Sequence, residues 1–197
     1  MTESEFFMIT SLHPDSFLCS KISFRNSIEN KTGLPRCLLN TGTTKGIGAY
    51  ASKDIKKGFV THSSGNHAQA VALSSKIMKT NAYIVMPKSA PKIKINAVKG
   101  YGADITFCEN NENARTRSCQ KLIQKTGANF IHPYDNNRVI AGQATCSKEI
   151  YDISPKLNLD YILCPVGGGG LASGTILSTN FFSPKTNWVT RTALCFT

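Results

Sequence analysis

Tyr161-Ile162-Leu163-Cys164-Pro165-Val166-Gly167-Gly168-Gly169-Gly170-Leu171 is the stretch on which the fold turns. Its first half is a short apolar run of strand character, and its second half is four consecutive glycines opening a helical pattern. Glycines between a strand and a helix let the main chain approach a ligand closely. Several N–H groups then point at that ligand, where the positive end of the helix projects. A phosphate is held in this way without a charged side chain. The pattern is neither Gly-x-Gly-x-x-Gly nor Gly-x-x-x-x-Gly-Lys-Ser/Thr, which removes support from the dinucleotide and Walker-type readings. The plain alternative is a flexible turn; against it stands the backbone entropy that four glycines lose on folding.

Outward from this stretch, as far back as Lys57, short β-branched or aromatic runs alternate with helical patterns, the order expected of βαβ units around a parallel sheet. Strands are expected over residues 59–61, 83–86, 105–108, 130–132 and 161–164. Helices are expected over 68–78, over 93–101 after the Pro91 start signal, over 114–125 closed by Gly127, and over 139–151. Five strands and four crossovers make an open α/β layer.

A second strand–loop–helix junction is Thr61-His62-Ser63-Ser64-Gly65-Asn66-His67. In open α/β sheets ligands sit beyond the carboxyl ends of the strands, which is where this loop falls. Its small polar side chains and N–H groups suit an anionic ligand, and its alternative reading is an ordinary helix cap made by Ser or Asn. Residues 31–51 are rich in Gly, Thr and Lys and carry no assignable elements. From Ser178 onward the rhythm is lost again, with Trp188 and Val189 as one more strand candidate.

Twenty-three Lys and Arg against twelve Asp and Glu give a formal charge of +11 and favour anionic partners. The lysines are scattered, with small concentrations at Lys53, Lys56, Lys57 and at Lys88, Lys92, Lys94, Lys99, and no Arg-rich or aromatic-interleaved block accompanies them. The expectation is therefore no nucleic acid, with a basic nucleic-acid binder kept as an alternative that a steep salt dependence would reveal. The seven cysteines form no Cys-x-x-Cys pair and several lie in apolar runs, as reduced thiols do, which points to the cytoplasm. The start, MTESEFFMITSLHPDSF, lacks the basic region of a secretory signal, and no apolar run has membrane-spanning length. No membrane association is expected.

The blocks THSSGNHAQAVAL, AYIVMPKSAPKIKINAVKGYGADI, HPYDNNRVIAGQAT and CPVGGGGLASG resemble successive segments of the serine racemase and threonine dehydratase group of fold-type II pyridoxal-phosphate enzymes. The resemblance runs from about Gly58 to Ile176. It implies a two-lobed α/β architecture with parallel sheets: residues 1–57 begin the large lobe, 58–137 form a small α/β lobe, and 138–197 resume the large lobe. It implies pyridoxal 5'-phosphate as cofactor, its phosphate on Gly167, Gly168, Gly169 and Gly170 and its pyridine 3-oxygen near Asn66. Ser63, Ser64, Gly65 and His67 would meet the substrate, and Ser64 would be the proton-transfer group opposite the Schiff-base lysine. The implied substrate is serine or threonine, the outcome racemisation or loss of the β-hydroxyl, and the assembly of intact relatives a homodimer. His62, His67 and His132 have no metal-ligand spacing and also admit plain structural roles. Gln143 and Thr145 are expected to pack against the cofactor domain.

The chain departs from the family's pattern in two places. The family's lysine segment is like Lys-Thr-Gly-Ser-Phe-Lys-x-Arg-Gly-Ala, whereas this chain has Asn30-Lys31-Thr32-Gly33 followed by Leu34-Pro35-Arg36-Cys37. Thr43-Thr44-Lys45-Gly46-Ile47-Gly48-Ala49 restores the Lys-x-x-Gly-Ala spacing, so Lys45 is the candidate, with Lys31 as a weaker one and a solvated loop lysine as the bland reading. The resemblance also stops before the family's C-terminal half of the large lobe. That half carries the partner of the pyridine nitrogen and the metal-binding carboxylates used with Mg and ATP in serine racemases. A truncated chain of this kind is expected to be marginally stable and impaired in turnover; the alternative is a non-catalytic remnant of the fold that acts at most as a binding or interaction protein.

Overall fold

The computed structural model describes residues 6–8, 43, 47, 50–153 and 159–192. In chain order the elements are β1 (Phe6–Met8), α1 (Ser52–Ile55), β2 (Phe59–His62), α2 (Asn66–Ile77), β3 (Ala82–Pro87), α3 (Lys92–Gly100), β4 (Asp104–Cys108), α4 (Glu112–Thr126), β5 (Asn129–Phe130), α5 (Asn137–Ile153), β6 (Tyr161–Val166), α6 (Gly170–Phe182) and β7 (Asn187–Thr192). The chain divides into two compact units, Asn40–Gly142 and the pair Met1–Leu39 with Gln143–Thr197.

In the Asn40–Gly142 unit four parallel strands lie in the order β4-β3-β2-β5. The central β2 buries Phe59, Val60 and Thr61 without a gap, as a parallel strand covered on both faces must. Alternation then sorts the core. Phe59, Ile84 and Met86 meet Ala68, Val71 and Ala72 of α2 and Val98 of α3, while Val60 and Val85 meet Cys119 of α4. Helix α2 buries Ala68, Ala70, Ala72, Ser74 and Ser75, small residues that allow it to lie close on the strands. Ser74 and Ser75 donate their hydroxyls one turn back to the carbonyls of Ala70 (2.6 Å) and Val71 (2.9 Å), so neither is left unpaired.

Two turns hold this register. Gly58 has φ +79°, and a Cβ there would lie 2.7 Å from the Asn81 carbonyl oxygen, the same oxygen that accepts the Phe59 N–H at 3.0 Å. Helix α4 is bracketed by Asn111, whose side-chain oxygen accepts the Ala114 N–H at 2.8 Å, and by Gly127 in the left-handed conformation.

The second unit carries a three-stranded parallel sheet in the order β1-β6-β7. Cys164 of β6 and Thr175 of α6 are buried against each other, and Thr186 seals the approach to β7 by donating to the Leu159 carbonyl at 2.9 Å. Among the described residues no helix is long and apolar enough to cross a membrane.

Three sequence expectations need correction. The five strands do not form one layer: β6 pairs with β1 and β7 rather than with any of β2 to β5, because Phe6–Met8 supplies a neighbour that local pattern did not reveal. Strand β5 ends at Phe130, since His132 accepts the Asp135 N–H at Nδ1 (2.9 Å) and thereby belongs to a turn. The rhythm does not fail at Ser178, because α6 continues to Phe182 before β7 begins.

Candidate functional site

The Ser-rich loop is positioned by β2 on one side and α2 on the other. Its first residue is fastened to the sheet, the Ser63 N–H donating to the Val85 carbonyl at 3.1 Å. Gly65, not Ser or Asn, is the residue that caps α2, and it has no side-chain cap; the ordinary capping reading therefore falls away. Ser63 Oγ instead accepts the Gly65 N–H at 3.1 Å and tightens the loop. The side chains of Ser64 and Asn66 are half-buried and have no hydrogen-bond partner among the described residues, which leaves both available to a ligand.

His67, on the first turn of α2, turns its ring toward the sheet. Nε2 lies 3.1 Å from Thr61 Oγ1 and 3.4 Å from the Ile131 carbonyl oxygen. Thr61 donates its own proton to that carbonyl at 2.7 Å, so Nε2 must carry the imidazole proton. Burial pushes the His67 pKa down to about 4, against the upward pull of the Ile131 carbonyl, and the ring is neutral at physiological pH. Nδ1 is a buried acceptor without a partner among the described residues.

His62 lies beside this arrangement, its ring 5.8 Å from Phe130 and 5.9 Å from His132. Burial, and secondarily the nearby His132 and Arg115, lower its pKa. A group that sequence reading noted only within a run of lysines also reaches the loop. Lys94, from the first turn of α3, places Nζ 3.8 Å from where a Cβ on Gly65 would stand. No spacing rule signals this, because the approach is between two helices separated by β3.

The tetraglycine loop belongs to the other unit and is built in the same way at the end of β6. Gly167 and Gly168 are exposed, Gly169 caps α6 with φ +94°, and Gly170 opens the helix as a buried residue. The helix start has neither an acidic residue nor a side-chain cap. Its first N–H groups, which lack intrahelical acceptors, are open to an anion. A Cβ at Gly167 or Gly169 would meet nothing within 4 Å, so the loop is faced by open space of the kind a phosphate needs. The residues present fit the phosphate end of the implied cofactor. Lys45 and Lys31 lie outside the described residues. Among the described residues no group of three or more His, Cys, Asp or Glu could hold a metal ion.

Residues 38–192 match the profile of the family described as "Pyridoxal-phosphate dependent enzyme". Serine racemase of Dictyostelium discoideum is 43% identical over 144 residues, which are 73% of this chain and 44% of the relative. The beta-hydroxyaspartate dehydratase of Paracoccus denitrificans is 39% identical over 145 residues, 74% of this chain and 45% of that one. Among solved structures, the Dictyostelium serine racemase superposes with a TM-score of 0.72 at 41% identity, covering 79% of this chain and 50% of that chain. The processed form of threonine deaminase isoform 2 from Solanum lycopersicum gives a TM-score of 0.68 at 32% identity, over 77% and 43% of the two chains. The chain spans about half the length of the curated relatives it matches.

Proposed function

The chain belongs to the pyridoxal-phosphate-dependent enzyme family, and from that premise we propose that it carries the cofactor-binding and proton-transfer groups of a serine racemase or serine/threonine dehydratase reaction. The observation that carries this reading is the uncapped, open glycine loop at the start of α6. Its chemistry is that of a phosphate cradle.

When bound, pyridoxal phosphate supplies the electron sink that weakens a substrate Cα–H bond. The protein's part is then to hold and to move protons. The N–H groups of Gly167 to Gly170 would hold the cofactor's phosphate, and the Asn66 side chain, without a hydrogen-bond partner among the described residues, would orient its ring as the family resemblance implies. The N–H groups of Ser64, Asn66 and His67, with the hydroxyls of Ser63 and Ser64, would hold the amino acid's carboxylate beside Gly65. Lys45 would take the Cα proton and the Ser64 hydroxyl would give or take it from the opposite side, the roles the family resemblance implies. Return of a proton from the Ser64 side inverts the centre. Loss of the Cα proton and of the β-hydroxyl, which leaves with a proton as water, would give an enamine whose imine tautomer takes up one water and releases a keto acid and ammonia. No part in either outcome is assigned to Mg or ATP.

The test is direct. The chain mixed with pyridoxal phosphate should develop a visible absorption band that borohydride abolishes, and peptide mass spectrometry should find the reduced adduct on Lys45. Replacing Gly169 by Leu should remove the band, because φ +94° excludes a side chain and the substituent would enter the phosphate's space. An undiminished band in that variant would refute the cradle, and an adduct on another lysine would reassign the base.

A further inference from the structure

We infer that Lys94 is a specificity-determining residue that supplies the positive charge for the substrate carboxylate at the Ser63–Asn66 loop. The inference rests on the proposed assignment of that loop to the amino-acid substrate. It starts from a juxtaposition of two helices that are separate in sequence. Pro91 starts α3, and Lys94 sits in its first turn, where its N–H bonds the Pro91 carbonyl at 3.0 Å. From there its side chain crosses to the loop ahead of α2, and Nζ comes within 3.8 Å of the position a Gly65 Cβ would take.

The loop has no charge of its own. The first turn of α2 contains no acidic residue, and Gly65 offers no side chain. Ser63, Ser64 and Asn66 are neutral, and His67 is held neutral by burial. Among the described residues the ion pairs are Lys57–Asp54, Lys88–Glu109 and Lys148–Asp152, so Lys94 has no carboxylate to satisfy it. A half-buried ammonium without a counter-ion, beside a helix start without an anion, is an arrangement completed by a carboxylate from outside. Nζ stands at ordinary van der Waals distance from that position, so the ammonium lies against the loop without crowding it. Lys92, exposed on the same helix, serves as the control for general surface charge.

The probe is L-glycerate, which has serine's carboxylate and hydroxyl but no amine to react with the cofactor. Its uncharged counterpart is L-glyceramide. Each is titrated into the full chain in the presence of pyridoxal phosphate, and the amide signals of Gly65 and Asn66 are followed by NMR. In the wild type, glycerate should shift both signals to saturation. Lys94→Gln should weaken its apparent affinity about fivefold, while Lys94→Arg and Lys92→Gln should stay within about twofold, and molar salt should erase the difference. Glyceramide should not distinguish Lys94→Gln from wild type. Equal glycerate midpoints in wild type and Lys94→Gln, with the rest of the spectrum unchanged, would overturn the inference and leave the proposed function intact. If glycerate moves neither amide in the wild type, the assignment of the loop itself fails, and this inference with it.

Discussion

Thr61 has already given its hydroxyl proton to Ile131, and this one donation sets the state of His67. Protonating the ring would put a second N–H, on Nδ1, into a buried place with no acceptor among the described residues. Burial accordingly lowers the His67 pKa from 6.5 to about 4. The unfolded chain, with the ordinary value, binds this proton first as pH falls. The group therefore costs the fold nothing above pH 6.5, destabilises it progressively between pH 6.5 and 4, and adds no further loss below that. The full effect is of order 3 kcal/mol. Urea unfolding from pH 7.5 down to pH 4 should show this loss in the wild type and a smaller one in His67→Gln, whose amide can still donate to Thr61; parallel curves for the two proteins would contradict the assignment. Residue type at a helix start was legible in the sequence, but the direction of the ring was not, because its partners lie at the end of β2 and just beyond β5.

The turn into β2 shows what steric fit adds to conformational preference. Gly58 and Gly102 share positive φ values, +79° and +84°, but a Cβ on Gly102 meets nothing within 4 Å while one on Gly58 strikes the Asn81 oxygen. Gly102→Ala should cost about 1 kcal/mol from backbone strain, and Gly58→Ala about 2 kcal/mol more, since the clash is with main chain that also anchors β2 on β3. Thermal unfolding of the two variants checks the order, and equal midpoints would show that the turn yields. Helices and central strands were legible wherever apolar period and punctuation agreed: α4 carries its stop at Gly127, and β2, β3, β4 and β6 each lie on a β-branched or aromatic run. The glycine loop was legible for the same reason, standing between β6 and α6. What escaped was decided at a distance. Phe6–Met8 is too short to announce a strand without β6 beside it. Ser178 and Thr179 look like a loop until the burial of α6 is known, and Lys94 acquires its meaning only when α3 is packed beside α2.

At the scale of the whole molecule, five of the nine exposed large apolar side chains among the described residues belong to one helix and one strand. Leu177, Phe181 and Phe182 on α6 and Trp188 and Val189 on β7 are all exposed, Phe181 at 79%. Apolar area gathered on one helix and one strand drives association. Sedimentation should show the chain shifting to larger species as concentration rises, and a double change, Phe181→Lys with Trp188→Lys, should reduce that shift without lowering the affinity for pyridoxal phosphate; unchanged sedimentation would place the association elsewhere. One pairing has a bearing on how the chain is made. Phe6 to Met8 pair in register with Tyr161 to Leu163, whereas every strand of the other sheet lies between Phe59 and Phe130. During synthesis the four-stranded sheet has all its strands in hand while α5 is still being added. Strand β1, which precedes that sheet in the chain, has its partner among the described strands only once β6 has left the ribosome. Strand β1 is thus made before the four-stranded sheet and paired after it, the reverse of the order in which the two would close if pairing followed synthesis.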